Sequence, residues 1–351
     1  MYRRLTLLVV CVIFAAINLC AQTKTPAAQS WQASSKPESS SPGAPVALPS
    51  PAPSEEDWTT IDLAKSGLRL DAIKGILLSK VQLQGCTREL LRFQWRRNDP
   101  IDLYVIRPGS TEKPPVVLFL YNYTYDTDVF REDRWCDVAR KNGFAVAGLA
   151  SALSWPRLHA PRPMKEWFVS ELQEALAEST HDVQMVLNYL ATRDDLNVKH
   201  VGIFGQGSGG AVAILAAAAD SRIGALDLMD PWGDWPDWLK ASQQIPEAER
   251  AAYLKPEFLG RVSGLDPVVF LPRLKEKALR IQQVDTDPVT PIAARDKIAD
   301  VAPRPGDISR YRDSAAEKKA LGADGIVGWF GEQLKPETVT AHPNRERSDP
   351  R

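Results

Sequence analysis

Histidine and cysteine are scarce in this 351-residue chain, with four of each. Two of the cysteines, Cys11 and Cys20, lie within the first 20 residues. The rest of the chain is too poor in cysteine for a disulfide scaffold or a cysteine-based zinc module. An excess of charge of one sign is missing too. Lys+Arg number 43 and Asp+Glu 44, a net of −1. That balance argues against nucleic acid as a partner, which calls for a basic stripe. No internal repeat is found. The longest N-terminal apolar run falls short of the roughly 20 residues of a transmembrane helix. What is present is ordinary globular composition: 44% apolar, 25% charged and 8% aromatic. A collagen-like or wholly disordered chain is excluded, and the length suits one or two domains.

Arg3 and Arg4 precede an apolar run from Leu5 to Ala16, and Asn18, Leu19, Cys20 and Ala21 lead into polar sequence. This is the layout of a secretory signal peptide over 1–21. It predicts a secreted or periplasmic protein that meets a membrane only if the segment stays uncleaved. In an oxidising compartment Cys86 and Cys136 either close one disulfide across a 50-residue loop or remain separate buried thiols. Residues 22–57, with Pro37, Pro42, Pro45, Pro49, Pro51 and Pro53, read as a disordered linker. Residues 337–351 read as a polar tail.

From 58 to 336 strands alternate with helices. Glu89–Trp95, Ile101–Ile106, Val116–Leu120, Phe144–Leu149, Val198–Phe204, Ile223–Met229 and Ala278–Val284 have the character of strands. Helices are predicted over Asp133–Lys141, Ser170–Thr192, Ala211–Ala219 and Gly325–Leu334. The alternation predicts an α/β domain with a doubly wound, mostly parallel sheet.

The informative spot is Gly205-Gln206-Gly207-Ser208-Gly209-Gly210, between a strand and an apolar helix. With the preceding helix Asp182–Arg193, it resembles the α/β-hydrolase superfamily, in its dienelactone-hydrolase-like and acyl-esterase-like branch. The resemblance spans roughly 85–335 and is specific around 182–215. It implies a G-x-S-x-G nucleophile elbow, with a serine on a strained turn above the sheet. Aligned on the strand, Gly207 takes the nucleophile's place. Ser208 either shifts by one residue to become the nucleophile or simply starts the helix. Asp287, in Asp287-Pro288-Val289-Thr290-Pro291, matches the family's acid. The family's histidine is due within Ile308–Glu317, where none occurs. A serine needs a base within hydrogen-bond reach. His181 and His200 read as surface residues, His159 as a loop residue on the correct edge but in the wrong part of the chain, and His342 as tail. The resemblance places the oxyanion donors at Ser208 and in the Tyr121-Asn122-Tyr123 turn, with Tyr123 the second donor. Tyr121-Asn122 stands where the family often has His-Gly.

Ligands of open α/β sheets bind at the carboxyl ends of the strands. Tyr121, Tyr123, Trp232 and Trp235 fall on loops at that edge, as ligand-binding aromatics or as a lid packed on the domain. Such rings suit a small-molecule ligand: an ester, a sugar or an amine. No metal and no cofactor is expected. The glycine run lacks the Lys-Ser/Thr pair of a phosphate loop. Taken together, the residues predict an exported protein of ester- or amide-hydrolase ancestry that has lost catalysis and keeps a ligand-binding or scaffold role. The alternatives are a serine ester hydrolase using Ser208, Asp287 and an unidentified base, or a purely structural envelope protein.

Overall fold

The computed structural model describes residues 56–68, 74–97, 99–122, 127–152, 171–303, 307–322 and 324–335. These belong to one compact unit, Ser50–Arg351. Nine strands form one sheet: β1 Ile76–Leu83, β2 Cys86–Arg96, β3 Asp99–Pro108, β4 Pro115–Leu120, β5 Ala145–Leu149, β6 Asn197–Gln206, β7 Ile223–Met229, β8 Ala278–Val284 and β9 Ile308–Tyr311. Their spatial order is β1-β2-β3-β5-β4-β6-β7-β8-β9. The pairings from β1 to β5 are antiparallel, and those from β5 to β9 parallel. The mostly parallel sheet expected of the sequence is therefore present, with an antiparallel flank. Strands β1 and β9 have no counterpart among the strands expected from sequence.

Helices cover both faces. Leu172–Ala191 (α2) and Ser208–Ala219 (α3) pack on one side, where Leu176, Val183, Val186, Leu187 and Leu190 meet Val212 and Leu215 in the main core. Arg134–Asn142 (α1) and the closing helix Gly325–Gln333 cover the other face around Phe119, Phe204 and Phe330. The first of these ends at Gly143, which takes the left-handed φ of 71° of a helix C-cap. Strand β4 carries Val116, Val117, Leu118, Phe119 and Leu120, all buried, because a central parallel strand faces packed helices on both sides. A disulfide joins Cys86 at the start of β2 to Cys136 on α1, with a Cα separation of 5.8 Å.

One buried charge network fastens the start of the domain. The Arg96 guanidinium, at the end of β2, donates to Glu56 (Nη2–Oε1 2.7 Å) and to Asp182 of α2, and it faces Asp99 and Glu178 at 3.7 and 3.8 Å. The Trp95 indole N–H donates to the same Asp182 at 2.8 Å. His181, read from sequence as a surface residue, is fully buried instead. Its Nδ1 lies 2.7 Å from Glu56 Oε1 and its Nε2 3.0 Å from the Thr60 carbonyl, so acceptors more than 100 residues away account for its burial. Burial pushes the Glu56 carboxyl up, but hydrogen bonds from Arg96 and His181 outweigh it and hold the group below its ordinary value. Glu56, read from sequence as part of the linker, is thus fixed to the domain. His200 is exposed, as read, but lies within β6.

Candidate functional site

The chain leaves β4 toward β5 on one side and later returns as β6 on the other. The crevice between the carboxyl ends of β4 and β6 is therefore the switch point of the sheet, where open α/β folds bind ligands. Gly207 follows β6 there, and Tyr121-Asn122 follows β4.

Gly207 has φ 55° and ψ −115°, the strained strand-to-helix conformation of an elbow apex. Its N–H donates to the Met229 carbonyl at 2.9 Å, and its own carbonyl accepts from the Trp232 backbone N–H at 3.1 Å. Glycine takes this backbone without a Cβ penalty. The flanking glycines answer to crowding: a Cβ on Gly209 would stand 2.1 Å from the Leu120 carbonyl oxygen, and one on Gly205 2.7 Å from Gly210 Cα. The small-residue rule of the elbow is kept, and the side chain at its apex is missing.

Another side chain occupies that place. A Cβ built on Gly207 would meet Asn122 Oδ1 at 2.9 Å, Asn122 Cγ at 3.0 Å and Trp232 Nε1 at 3.2 Å. Asn122 Oδ1 accepts from the Ser208 hydroxyl at 3.0 Å and from the Ser208 backbone N–H at 3.4 Å. Ser208 is the first residue of α3 and is fully buried. Its N–H is the donor the resemblance assigns to the oxyanion, and a carboxamide oxygen from within the chain faces it.

Asp287 lies past the end of β8. Its carboxylate accepts from Val289 N–H at 3.2 Å and Thr290 N–H at 2.9 Å, an Asp closing its own turn. After β9 the chain passes through Arg312-Asp313 into the helix Ser314–Leu321 without a histidine, and Asp313 caps that helix through Ala316 N–H at 2.8 Å. Two further carboxylates gather at this corner. Burial pushes Asp230 up to about 8, against the pull of the Val284 N–H and with the help of Asp287 and Glu317. Asp230 also has a left-handed φ of 44°. Burial raises Glu317 to about 7; Lys318 opposes this, while Asp227 and Asp287 add to it. Deeper in, Asp227 pairs with Arg280 at 2.6 Å and accepts from Gln282 at 2.7 Å. No group of three or more His, Cys, Asp or Glu able to hold a metal occurs among the described residues.

The aromatic residues lie deeper than their sequence reading places them. Trp232 and Trp235 are fully buried, with Trp238, and belong to the main core. The rings of Trp232 and Trp238 stand 4.6 Å apart, and Trp235 meets Trp238 edge-on at 5.8 Å. The Trp235 indole donates to the Leu265 carbonyl at 3.3 Å, and Asp266 accepts the backbone N–H groups of Asp234 and Trp235. The segment forms the short helix Trp235–Ala241, with Pro236 in its first turn. Tyr121 is half-buried among Phe119, Phe130, Trp135 and Phe204. Tyr123, His159 and His342 lie outside the described residues. Sequence reasoning notes the exchange of His-Gly for Tyr121-Asn122 but misses its outcome, that the new side chain fills the apex. It also misses Glu317.

No family model matches the chain, and no curated protein matches it. Solved structures do. An acetyl xylan esterase from Thermoanaerobacterium sp. JW/SL YS485 is similar with a TM-score of 0.57 and 15% identity, over 73% of this chain and 86% of that one. An S-formylglutathione hydrolase from Agrobacterium tumefaciens is similar with a TM-score of 0.54 and 13% identity, over 74% and 99%. An acylaminoacyl peptidase from Pyrococcus horikoshii is similar with a TM-score of 0.54 and 15% identity, over 72% and 41%. Strand order, elbow geometry and these neighbours agree: the chain has the α/β-hydrolase fold.

Proposed function

We propose that this chain is an exported α/β-hydrolase-fold protein that does not hydrolyse esters or amides and serves as a scaffold domain. The observation that carries the reading is the Asn122 carboxamide set against the bare apex of Gly207, with its oxygen on the Ser208 N–H. Hydrolysis on this fold needs a nucleophile at the apex, a base beside it and an open oxyanion hole. Glycine supplies no nucleophile. Ser208 is a poor substitute, because its hydroxyl is buried and donates to Asn122. Neither of the two described histidines can act as the base. His181 is held by Glu56 and Thr60, and His200 stands seven residues before the apex along an extended strand, roughly 20 Å away.

The neighbours include esterases and an acylaminoacyl peptidase, which supports hydrolase ancestry. The Cys86–Cys136 disulfide supports an oxidising compartment, in keeping with the N-terminal segment. The scaffold side is favoured over ligand binding because Trp232 and Trp235 are engaged in the core. The test is a fluorophosphonate probe, which labels activated serines, together with turnover of an activated aryl acetate. Neither labelling nor turnover above a heat-treated control is expected for the native protein or for Gly207→Ser. Labelling that vanishes in Ser208→Ala would restore the enzyme reading.

A further inference from the structure

Three acids meet where β7, β8 and β9 end: Asp230 after β7, Asp287 after β8, and Glu317 on the helix Ser314–Leu321 that follows β9. Asp287 and Glu317 both push the Asp230 carboxyl up, and Asp287 pushes up Glu317, so the three groups face one another. Asp230 and Asp287 are half-buried, and Glu317 is only 7% exposed. Asp230 Oδ1 accepts from the Val284 N–H at 2.8 Å, and Asp287 accepts from its own turn. Glu317 Oε1 is sealed from solvent and has no hydrogen-bond partner. Such a buried polar atom is costly, and native proteins rarely keep one without a reason.

The cations packed around this corner are engaged elsewhere. Arg280 pairs with Asp227 at 2.6 Å and donates to the Gly325 carbonyl at 2.9 Å. Arg295 tempers Asp230 from a distance but donates to the carbonyls of Val284 and Asp285. Arg310 pairs with Asp296 at 2.7 Å and donates to Gln283 at 3.1 Å. Lys318 projects about 100° round its helix from Glu317. The Tyr311 hydroxyl, from β9, donates to Gln282 at 3.4 Å.

We propose that this corner binds a guanidinium cation, whose N–H groups donate to Glu317 Oε1, Asp230 and Asp287. A guanidinium is flat, carries five donors in a fixed fork and matches carboxylates. The acids form no group able to hold a metal ion among the described residues, and a cation with spread donors suits carboxylates that do not converge on one point. Asp230 and Glu317, raised to about 8 and about 7, keep their protons at pH 6 when the site is free. The bound cation needs them ionised, so binding releases protons and tightens as pH rises toward 8. The site lies apart from the Gly207 apex and asks nothing of hydrolysis. Its cation is either a free small molecule or an arginine side chain of a peptide.

Isothermal titration calorimetry of the native protein is the test, with methylguanidinium, the uncharged methylurea and N-acetylarginine amide as probes. Methylguanidinium is expected to saturate at pH 8, methylurea to give no binding, and the affinity to be at least roughly tenfold lower at pH 6. Binding heats should depend on the ionisation enthalpy of the buffer, since protons are released. Glu317→Gln and Asp230→Asn are each expected to weaken binding at least roughly tenfold and to reduce the proton release, with near-UV circular dichroism unchanged. Binding of the capped arginine as tightly as methylguanidinium supports a peptide side chain as the source, and binding of methylguanidinium alone supports a free cation. Failure of methylguanidinium to saturate at pH 8, equal binding of methylurea, or native affinity in both variants overturns the proposal.

Discussion

Replacing Gly207 by alanine tests the apex without adding any chemistry. Two costs follow from the geometry. A residue with a Cβ at φ 55°, ψ −115° sits in a sparsely populated region, at a cost of about 1–3 kcal/mol. The new methyl would stand 2.9 Å from Asn122 Oδ1 and 3.2 Å from Trp232 Nε1, and such overpacking costs about 1–3 kcal/mol. Loss of glycine's freedom in the unfolded chain offsets about 0.4–1 kcal/mol. The expected net is a destabilisation of roughly 2–4 kcal/mol, a large share of a domain's roughly 5–15 kcal/mol. Urea unfolding reads it as a lower midpoint at constant slope. Adding Asn122→Ala removes the packing share and leaves the backbone share, so the two changes should couple by about 1–2 kcal/mol. A Gly207→Ala protein within about 0.5 kcal/mol of native, or two changes that simply add, would show that Asn122 does not fill the apex.

Other outcomes follow from the charges and the disulfide. Asp230 has its pKa raised to about 8, so the folded state holds a proton that the unfolded chain releases near pH 4; stability from this group is present below pH 4 and is lost as pH rises toward 8. Asp230→Asn should flatten that fall, by up to roughly 1 kcal/mol per pH unit, and an unaltered pH–stability curve would count against the buried carboxyl. Arg96→Met leaves Glu56 and Asp182 buried without their cation and should cost about 3–5 kcal/mol in denaturant, whereas a loss under about 1 kcal/mol would place the network in water. Changing Cys86 and Cys136 together to serine opens a loop of 50 residues and should cost roughly 4 kcal/mol by loop entropy; equal midpoints with and without reductant in the native protein would mean the bond is not formed.

The parts of this fold legible in the sequence are those whose signals are local. Val116–Leu120 reads as a buried strand because apolar side chains on both faces leave an unbroken run. The elbow reads from its glycines because the turn itself excludes larger residues. Strand β1 is not legible because Ile76, Leu77 and Leu78 do not alternate: both faces are exposed, and no core selects one of them. Strand β9 is only four residues long and takes its conformation from pairing with β8. The tryptophan segment reads as binding loops because aromatics at a sheet edge satisfy that reading and the core reading equally; Asp234-Trp235-Pro236 is the helix-start signal that distinguishes them. His181 and Asn122 are beyond sequence reasoning, since their partners arrive from 121 to 125 and from 86 residues away.

The network at Arg96 also sets how a mechanical pull would enter the domain. Tension arriving along the chain from upstream of residue 56 reaches Glu56 first, where the Arg96 guanidinium and the His181 ring hold it against β2 and the 20-residue helix α2. Gln184 grips the same segment further along, accepting from Leu63 N–H and donating to the Ile61 carbonyl. The load therefore passes sideways into a long buried helix, as shear shared among several contacts, instead of unzipping β1 one hydrogen bond at a time. A domain tethered by its N-terminal end would yield at a high force with Arg96 in place and at a markedly lower one in Arg96→Met, a difference that single-molecule stretching reads directly.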